Sequence, residues 1–209
     1  MLNAQSREAA DAALLQRFAD GWLRPDHVEW QYDRAGGVLS LKAAGTADLD
    51  WDKAGTQLTY YLPGGGFYKP AKLERVASED QTAPYANDPQ RFTCSVTRVQ
   101  LPKIPGAHWS ITAPPEDSVI GGIAYYRSAN LKSGVVNLVR STRTVQMELS
   151  PLQALAANRV LPGFNDNKSW VETESGPSET TDGSDARLPD ARTVNWGADS
   201  SLCRSPSRE

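Results

Sequence analysis

Tyr60-Tyr61-Leu62-Pro63-Gly64-Gly65-Gly66-Phe67-Tyr68-Lys69-Pro70 is the stretch that sets the fold class. An aromatic pair runs into a proline and three glycines, then into a second aromatic pair closed by another proline. Such a segment leaves a strand, crosses a loop whose glycines can take positive φ, and re-enters extended structure. Upstream the period is also two. Val28, Trp30 and Tyr32 alternate with Glu29, Gln31 and Asp33, Val38 to Leu41 follow a Gly36-Gly37 turn, and Ala47, Leu49 and Trp51 alternate with acids. Gln57 to Leu62 add a fourth strand before the glycines.

Downstream, residues 76–90 read as a surface excursion, and Arg91 to Leu101 as a strand with Phe92, Cys94 and Val96 on one face. Prolines at 102, 105, 114 and 115 frame a short strand around Trp109 and Ile111. Val119 to Tyr126 extend again, with Gly121-Gly122 suggesting a bulge or close backbone approach. Gly134 to Leu149 is the longest extended run, bent near Ser141. Two helices bracket this β-structure. At the front, over residues 6–20, Ala10, Leu14, Phe18 and Trp22 step by four, and Gly21 suits the C′ position. Behind the long run, Ser150-Pro151 supplies an N-cap and a proline at N1, opening a helix to about Val160. Beyond Trp170 serine, threonine, glycine, proline and acids dominate without periodicity, the composition of a segment that cannot offset its ordering entropy. The expected organisation is a helical segment over 1–24, a mainly β, sandwich-like domain over 25–170 and a disordered tail over 171–209.

A chain of 209 residues is long enough for one core, or for one domain plus an appendage, while a hydrophobic content of 39% is low for a fully packed globule. Eight acids and four bases give residues 171–209 a charge of −4; the other 18 bases and 17 acids leave the body at +1, recovering the total of −3. A near-neutral body gives no basis for a nucleic-acid partner, which needs clustered Lys and Arg. The opening residues show no apolar signal-peptide core, and no run reaches the length of a membrane span. With two cysteines, Cys94 and Cys203, a disulfide framework and a cysteine-rich zinc site are not expected.

Several residue groups invite chemistry. Asp48, Asp50 and Asp52 have the spacing of calcium ligands, but an EF-hand loop needs glycine at its sixth position and glutamate at its twelfth. Lys53 and Thr59 stand there, so the solvent face of a strand explains the triplet more simply. Cys94 and His108 could form a nucleophile and base, yet Cys94 lies in phase with Phe92 and Val96 and reads as a small buried hydrophobe. His27 is the only other histidine. The three glycines do not make a phosphate loop, because no GK[ST] and no helix follow. Asn167-Lys168-Ser169 matches a glycosylation sequon by pattern alone. No catalytic residue, metal ligand or cofactor site is therefore assigned. Tyr60, Tyr61, Phe67 and Tyr68, with Trp30 and Trp109, remain as a candidate platform for a sugar or peptide; alternating core aromatics are the simpler reading.

Several segments taken together resemble the β-domains that flank transglutaminase-like cores in large exported bacterial proteins. They are Gly45 to Trp51, Tyr60 to Pro70, Pro84 to Cys94, Val96 to Pro102, Gly121 to Arg127, residues 134–149, Ser150 to Ala157 and Pro162 to Asn167. The resemblance covers residues 20–170. It implies a non-catalytic accessory or interaction domain, partnered by a transglutaminase-like core or a cell-envelope polypeptide, in the periplasm or cell envelope. The core of such proteins carries Cys, His and Asp in that order on a papain-like framework. Here Cys94 and His108 lie inside the β-region, so no family catalytic residue transfers. The change of composition after Asn167 suggests a truncated or frame-shifted product. The alternative is a stand-alone carbohydrate- or peptide-binding β-module.

Overall fold

A computed structural model describes residues 6–19, 23–48, 51–55, 57–87, 91–164, 166, 168–173 and 191–196. In chain order the elements are α1 (Arg7–Ala19), β1 (Leu23–Asp33), β2 (Val38–Asp48), β3 (Asp52–Ala54), β4 (Gln57–Tyr61), β5 (Tyr85–Ala86) and β6 (Phe92–Gln100). They continue with β7 (Trp109–Thr112), β8 (Glu116–Ile120), β9 (Ile123–Lys132), β10 (Val135–Thr144), β11 (Glu148–Leu149) and α2 (Pro151–Val160). A 3-10 turn (Leu161–Gly163), β12 (Trp170–Thr173) and β13 (Ala191–Trp196) complete the list.

The strands form an open seven-stranded sheet, ordered β1-β2-β13-β6-β10-β9-β8, a four-stranded sheet, β3-β4-β12-β7, and a two-stranded β11-β5 pair. All the pairings are antiparallel. The two larger sheets bury a common apolar layer. Leu23, Ala43, Ala47, Val99, Val136 and Leu138 come from one sheet, and Leu58, Tyr60 and Val171 from the other. This is the β-sandwich-like, mainly β architecture expected from the alternation, with one helix before it and one short helix after the long strands. Trp51 closes the layer, its ring centroid 5.1 Å from that of Trp109 and 5.7 Å from that of Tyr60.

A second, separate cluster lies beside β8 and β9. Phe67, Ile120, Tyr125, Ala157, Leu161 and Phe164 gather there, with Leu73 and Ile123 at its margin. α2 is its lid. Ser150 Oγ accepts from the Gln153 amide and the Gln153 side chain accepts from the Ser150 amide, a reciprocal capping box, with Pro151 at the first helical position. At the other end of the chain, α1 lies on β1: Ala10 is fully buried and Asp11 accepts a 2.5 Å bond from the Trp30 indole.

Four local expectations are corrected. The expected extended run Val119 to Tyr126 is a hairpin, because Gly121 and Gly122 both take positive φ (57° and 75°) and turn β8 onto β9. The run 134–149 is broken after Thr144, so β10 and β11 are distinct. The strand expected at Val38 to Leu41 continues unbroken to Asp48 as β2, taking in Ala47 of the separate strand expected around Ala47, Leu49 and Trp51. The chain does not return to a strand after the triple glycine: 67–84 is irregular, held by Leu73 and Asn158 exchanging two bonds (2.9 and 2.8 Å) and by Arg75 donating to the Ala83 and Pro84 carbonyls. The body also runs past its expected end at 170, since Val171 and Thr173 are fully buried on β12. Most of the expected tail, 174–190 and 197–209, lies outside the described residues, as does Asp50 of the aspartate triplet. Ala191–Trp196 pairs with β2 on one side and β6 on the other.

Candidate functional site

The glycine loop is where the two cores meet, and two arginines hold it. Arg127 on β9 and Arg140 on β10 stand directly opposite one another in the register, a placement that two like charges disfavour. Carbonyl oxygens offset the repulsion. Arg127 donates through Nε to Pro114 O (2.8 Å) and through Nη1 to Gly65 O (2.9 Å), while Arg140 Nη1 donates to Gly66 O. Ser169 Oγ donates to the same Gly65 carbonyl at 2.9 Å. Arg127 is fully buried, and loss of hydration lowers the pKa of both guanidiniums from the ordinary arginine value. Both also stand over the Phe67 ring, at 5.3 and 5.8 Å from its centroid.

Gly65 is required here for close approach. A Cβ on it would lie 2.9 Å from Leu62 O, Ser169 N and Ser169 Cβ, so backbone blocks any side chain. Among the three glycines, positive φ is needed only at Gly64 (68°). The arrangement fixes a loop and offers no general base: its guanidiniums are permanently charged donors, and the bonds to Pro114, Gly65 and Gly66 all end on main-chain oxygens.

The four aromatics singled out in the sequence are divided by the fold. Tyr60 is buried in the sandwich layer and Phe67 in the second cluster, where it meets Tyr125 edge-on at 5.4 Å. Burial pushes the Tyr60 phenol up to about 12, and Tyr125 likewise. Tyr61 and Tyr68 face outward, Tyr68 almost wholly exposed. Tyr61 stands beside Trp170 (6.2 Å between centroids), with Lys168 Nζ 5.5 Å from its ring centroid. Trp170 in turn donates to Glu172, which also accepts from Gln57 at 3.0 Å. Trp30 pairs with α1 and Trp109 packs at the sandwich layer, its indole bonded to Pro102 O. The platform of four to six rings is therefore reduced to Tyr61 and Trp170, with Tyr68 apart.

Cys94 is disulfide-bonded. This corrects the expectation of a free, buried thiol. The sequence has one other cysteine, Cys203, which lies outside the described residues. His108 is exposed in the loop before β7, and among the described residues no three His, Cys, Asp or Glu side chains gather as metal ligands would. No described helix is long and apolar enough to cross a membrane.

A concave feature escaped the sequence reading. A cleft of about 460 Å³ opens between β8 and the end of α2, lined by Glu116, Ser118 and Ile120 on one wall and Arg159, Val160 and Phe164 on the other. Ser118 Oγ is buried and without a hydrogen-bond partner. The two arginines, by contrast, left a signal: fully buried Arg127 lies in phase with buried Tyr125, and half-buried Arg140 with Val136 and Leu138, so each interrupts an apolar face. Comparison with protein-family models, with characterised proteins and with solved structures finds no match to this chain.

Proposed function

We propose that this chain is a non-catalytic interaction domain that binds polypeptide. The observation that carries the reading is how the chemically capable groups are used. Cys94 is tied in a disulfide, and the two arginines of the inner face spend their donors on Gly65 and Gly66. What remains open is surface, a cleft beside a sheet edge. The resemblance to β-domains flanking transglutaminase-like cores supplies the partner class: such a core, or a cell-envelope polypeptide. A disulfide persists in oxidising compartments, which supports a periplasmic or cell-envelope location.

The test is co-purification of the tagged full chain from its native cells, with the gene resequenced together with its flanks. A stoichiometric polypeptide partner, or a neighbouring reading frame encoding a Cys-His-Asp core, supports the reading. Turnover of peptide amides or esters by the isolated chain would overturn it, as would native-state alkylation of Cys94 without reductant.

A second reading has its own observation. Tyr61 and Trp170 stand side by side on the outer face of the four-stranded sheet, next to Glu172 and Gln57, and flat rings beside hydrogen-bonding groups suit a saccharide. Titration with oligosaccharides, followed by tryptophan emission in the parent and in Tyr61→Ala, decides it. Unchanged emission in the parent removes this reading.

A further inference from the structure

We infer that the outer edge of β8 is a strand-acceptor site, taking an extended polypeptide segment antiparallel to Glu116–Ile120 with an apolar side chain seated in the adjoining cleft. The inference rests on the interaction-domain reading above and names the site and the chemistry of its occupant.

The backbone argument comes first. β8 is the terminal strand of the seven-stranded sheet and pairs only with β9 among the described residues. The two-residue turn Gly121–Gly122 makes Ile120 and Ile123 the hydrogen-bonded pair that flanks it. Antiparallel pairs alternate, so Ser118 with Tyr125 and Glu116 with Arg127 are bonded pairs as well. The amide and carbonyl groups of Asp117 and Val119 therefore point away from β9, toward the open edge. Exposed strand edges are templates for added strands.

Side chains then select the occupant. Glu116, Ser118 and Ile120 share the face that looks toward α2 and form one wall of the cleft. An added residue opposite Ser118 points the same way and enters between Ile120, Val160 and Phe164. Those three side chains are apolar, Arg159 also lines the cleft, and at its rim Val119 and Val160 are 60% and 52% exposed. The buried, unpartnered Ser118 Oγ is left for a polar atom of the incoming segment. Two residues along an antiparallel segment, the next side chain on that face stands opposite Glu116. There the Glu116 carboxylate, which also faces Arg127 across the strand pair, favours a lysine or arginine. The occupant is thus an extended segment with an apolar residue followed, two positions later, by a base. No chemistry is asked of the site.

The probe is the heptapeptide Thr-Thr-Val-Thr-Lys-Thr-Thr, added to the ¹⁵N-labelled full chain and followed by amide shifts. The expected result is shifts confined to Glu116–Ile120 and Arg159–Phe164, with slowed hydrogen exchange at Asp117 and Val119. Val119→Pro removes one outward amide without touching a bond to β9 and should weaken binding about tenfold. Gly163→Phe fills the cleft from a position where an added Cβ meets nothing within 4 Å, and should weaken binding about tenfold as well. Exchanging the peptide lysine for glutamate should cost about threefold.

Absence of shifts at millimolar peptide overturns the inference, as do shifts centred on Tyr61 and Trp170, or affinity unchanged in both variants. Concentration-dependent β8 shifts without peptide would show a second copy on this edge and overturn it too. Capture of the native partner by Val119→Pro and Gly163→Phe at parental levels would sink the β8 site while leaving the interaction-domain reading intact. Failure of the parent chain to capture any partner counts against that reading instead.

Discussion

The two cores of this molecule are built on different physics. The sandwich layer around Leu58, Leu138 and Val171 is apolar and two-sided, and its stability comes from removing hydrocarbon from water. The cluster around Phe67, Tyr125 and Phe164 is small and aromatic, and fully buried Arg127 lies against its Phe67 ring. It sits where a glycine loop, a sheet edge and a short helix meet, none of which could bury enough surface alone. The difference teaches that hydrogen-bonded charge can organise irregular chain where regular strands are absent. It also places the β8 cleft beside the smaller of the two cores.

Substitution at Arg127 is the hardest blow to the second core. Arg127→Ala leaves the Pro114 carbonyl without its donor and the Gly65 carbonyl with one donor fewer, and opens a cavity, so a loss of about 4 kcal/mol in denaturant-derived stability is expected. Leu138→Ala in the sandwich layer should cost about 3 kcal/mol through lost burial and cavity formation alone. The methionine variants separate the two cores more cleanly. Leu138→Met conserves volume and should cost under about 1.5 kcal/mol, whereas Arg127→Met still removes every donor and should remain close to its alanine counterpart. Equal, small losses for both methionine variants would break the distinction.

Base titration reads both cores in one experiment, because each holds one buried tyrosine. Tyr60 and Tyr125 are raised to about 12 by burial, above the value near 10 of an unfolded tyrosine. The folded state then binds more protons than the unfolded state between these values. The stabilisation is full below pH about 10 and is lost as pH rises through about 12, at most about 2–3 kcal/mol per tyrosine. Stability measured across that window, with ionisation followed near the phenolate absorbance, should fall less steeply in Tyr60→Phe and in Tyr125→Phe. Ionisation of Tyr125 before any loss of the sandwich layer would show the second core opening by itself. A milder probe is Gly65→Ala, whose Cβ collides with backbone and should cost about 2 kcal/mol.

How far the sequence disclosed this contrast depends on periodicity. The sandwich layer was legible at Val28, at Ala47 and Trp51, and at Leu58 and Tyr60, which alternate with polar residues as a one-sided sheet imposes. It was not legible in β6, where Val99 enters the layer from the face opposite Phe92, Cys94 and Val96. The second core has no period to read. Its members come from a loop, a hairpin and a helix that are far apart in the chain, and only the fold brings Phe67 to Phe164. The Tyr60–Tyr68 aromatics were visible as a group but not as inward and outward members, since the triple glycine breaks the alternation between Tyr61 and Phe67. Trp170, the partner of Tyr61, stood at the expected boundary of a polar tail, where Val171 and Thr173 were too few to register as a strand. Cys94 gave no sign of its disulfide, because composition near Cys203 argues against order. The cleft was invisible, being a space between β8 and α2 rather than a residue pattern.

The smallest effect should be the most selective. Ser150 caps α2, accepting from the Gln153 amide at 3.3 Å while its own amide donates to Gln153 Oε1 at 2.9 Å. Ser150→Ala removes one half of that reciprocal pair and should cost about 1 kcal/mol. Because Ala157 enters the second cluster and no α2 residue enters the sandwich layer, the loss should act locally. Amide exchange should accelerate through residues 151–160 and at the margin of the Phe67 cluster, while Val99, Val136 and Val171 keep their parental protection. Restoring a capping hydroxyl with Ser150→Thr should return most of the protection. Uniform acceleration across both clusters would instead mean that the two cores open as one cooperative unit, and the division between an apolar and a charge-organised core would describe packing without describing stability.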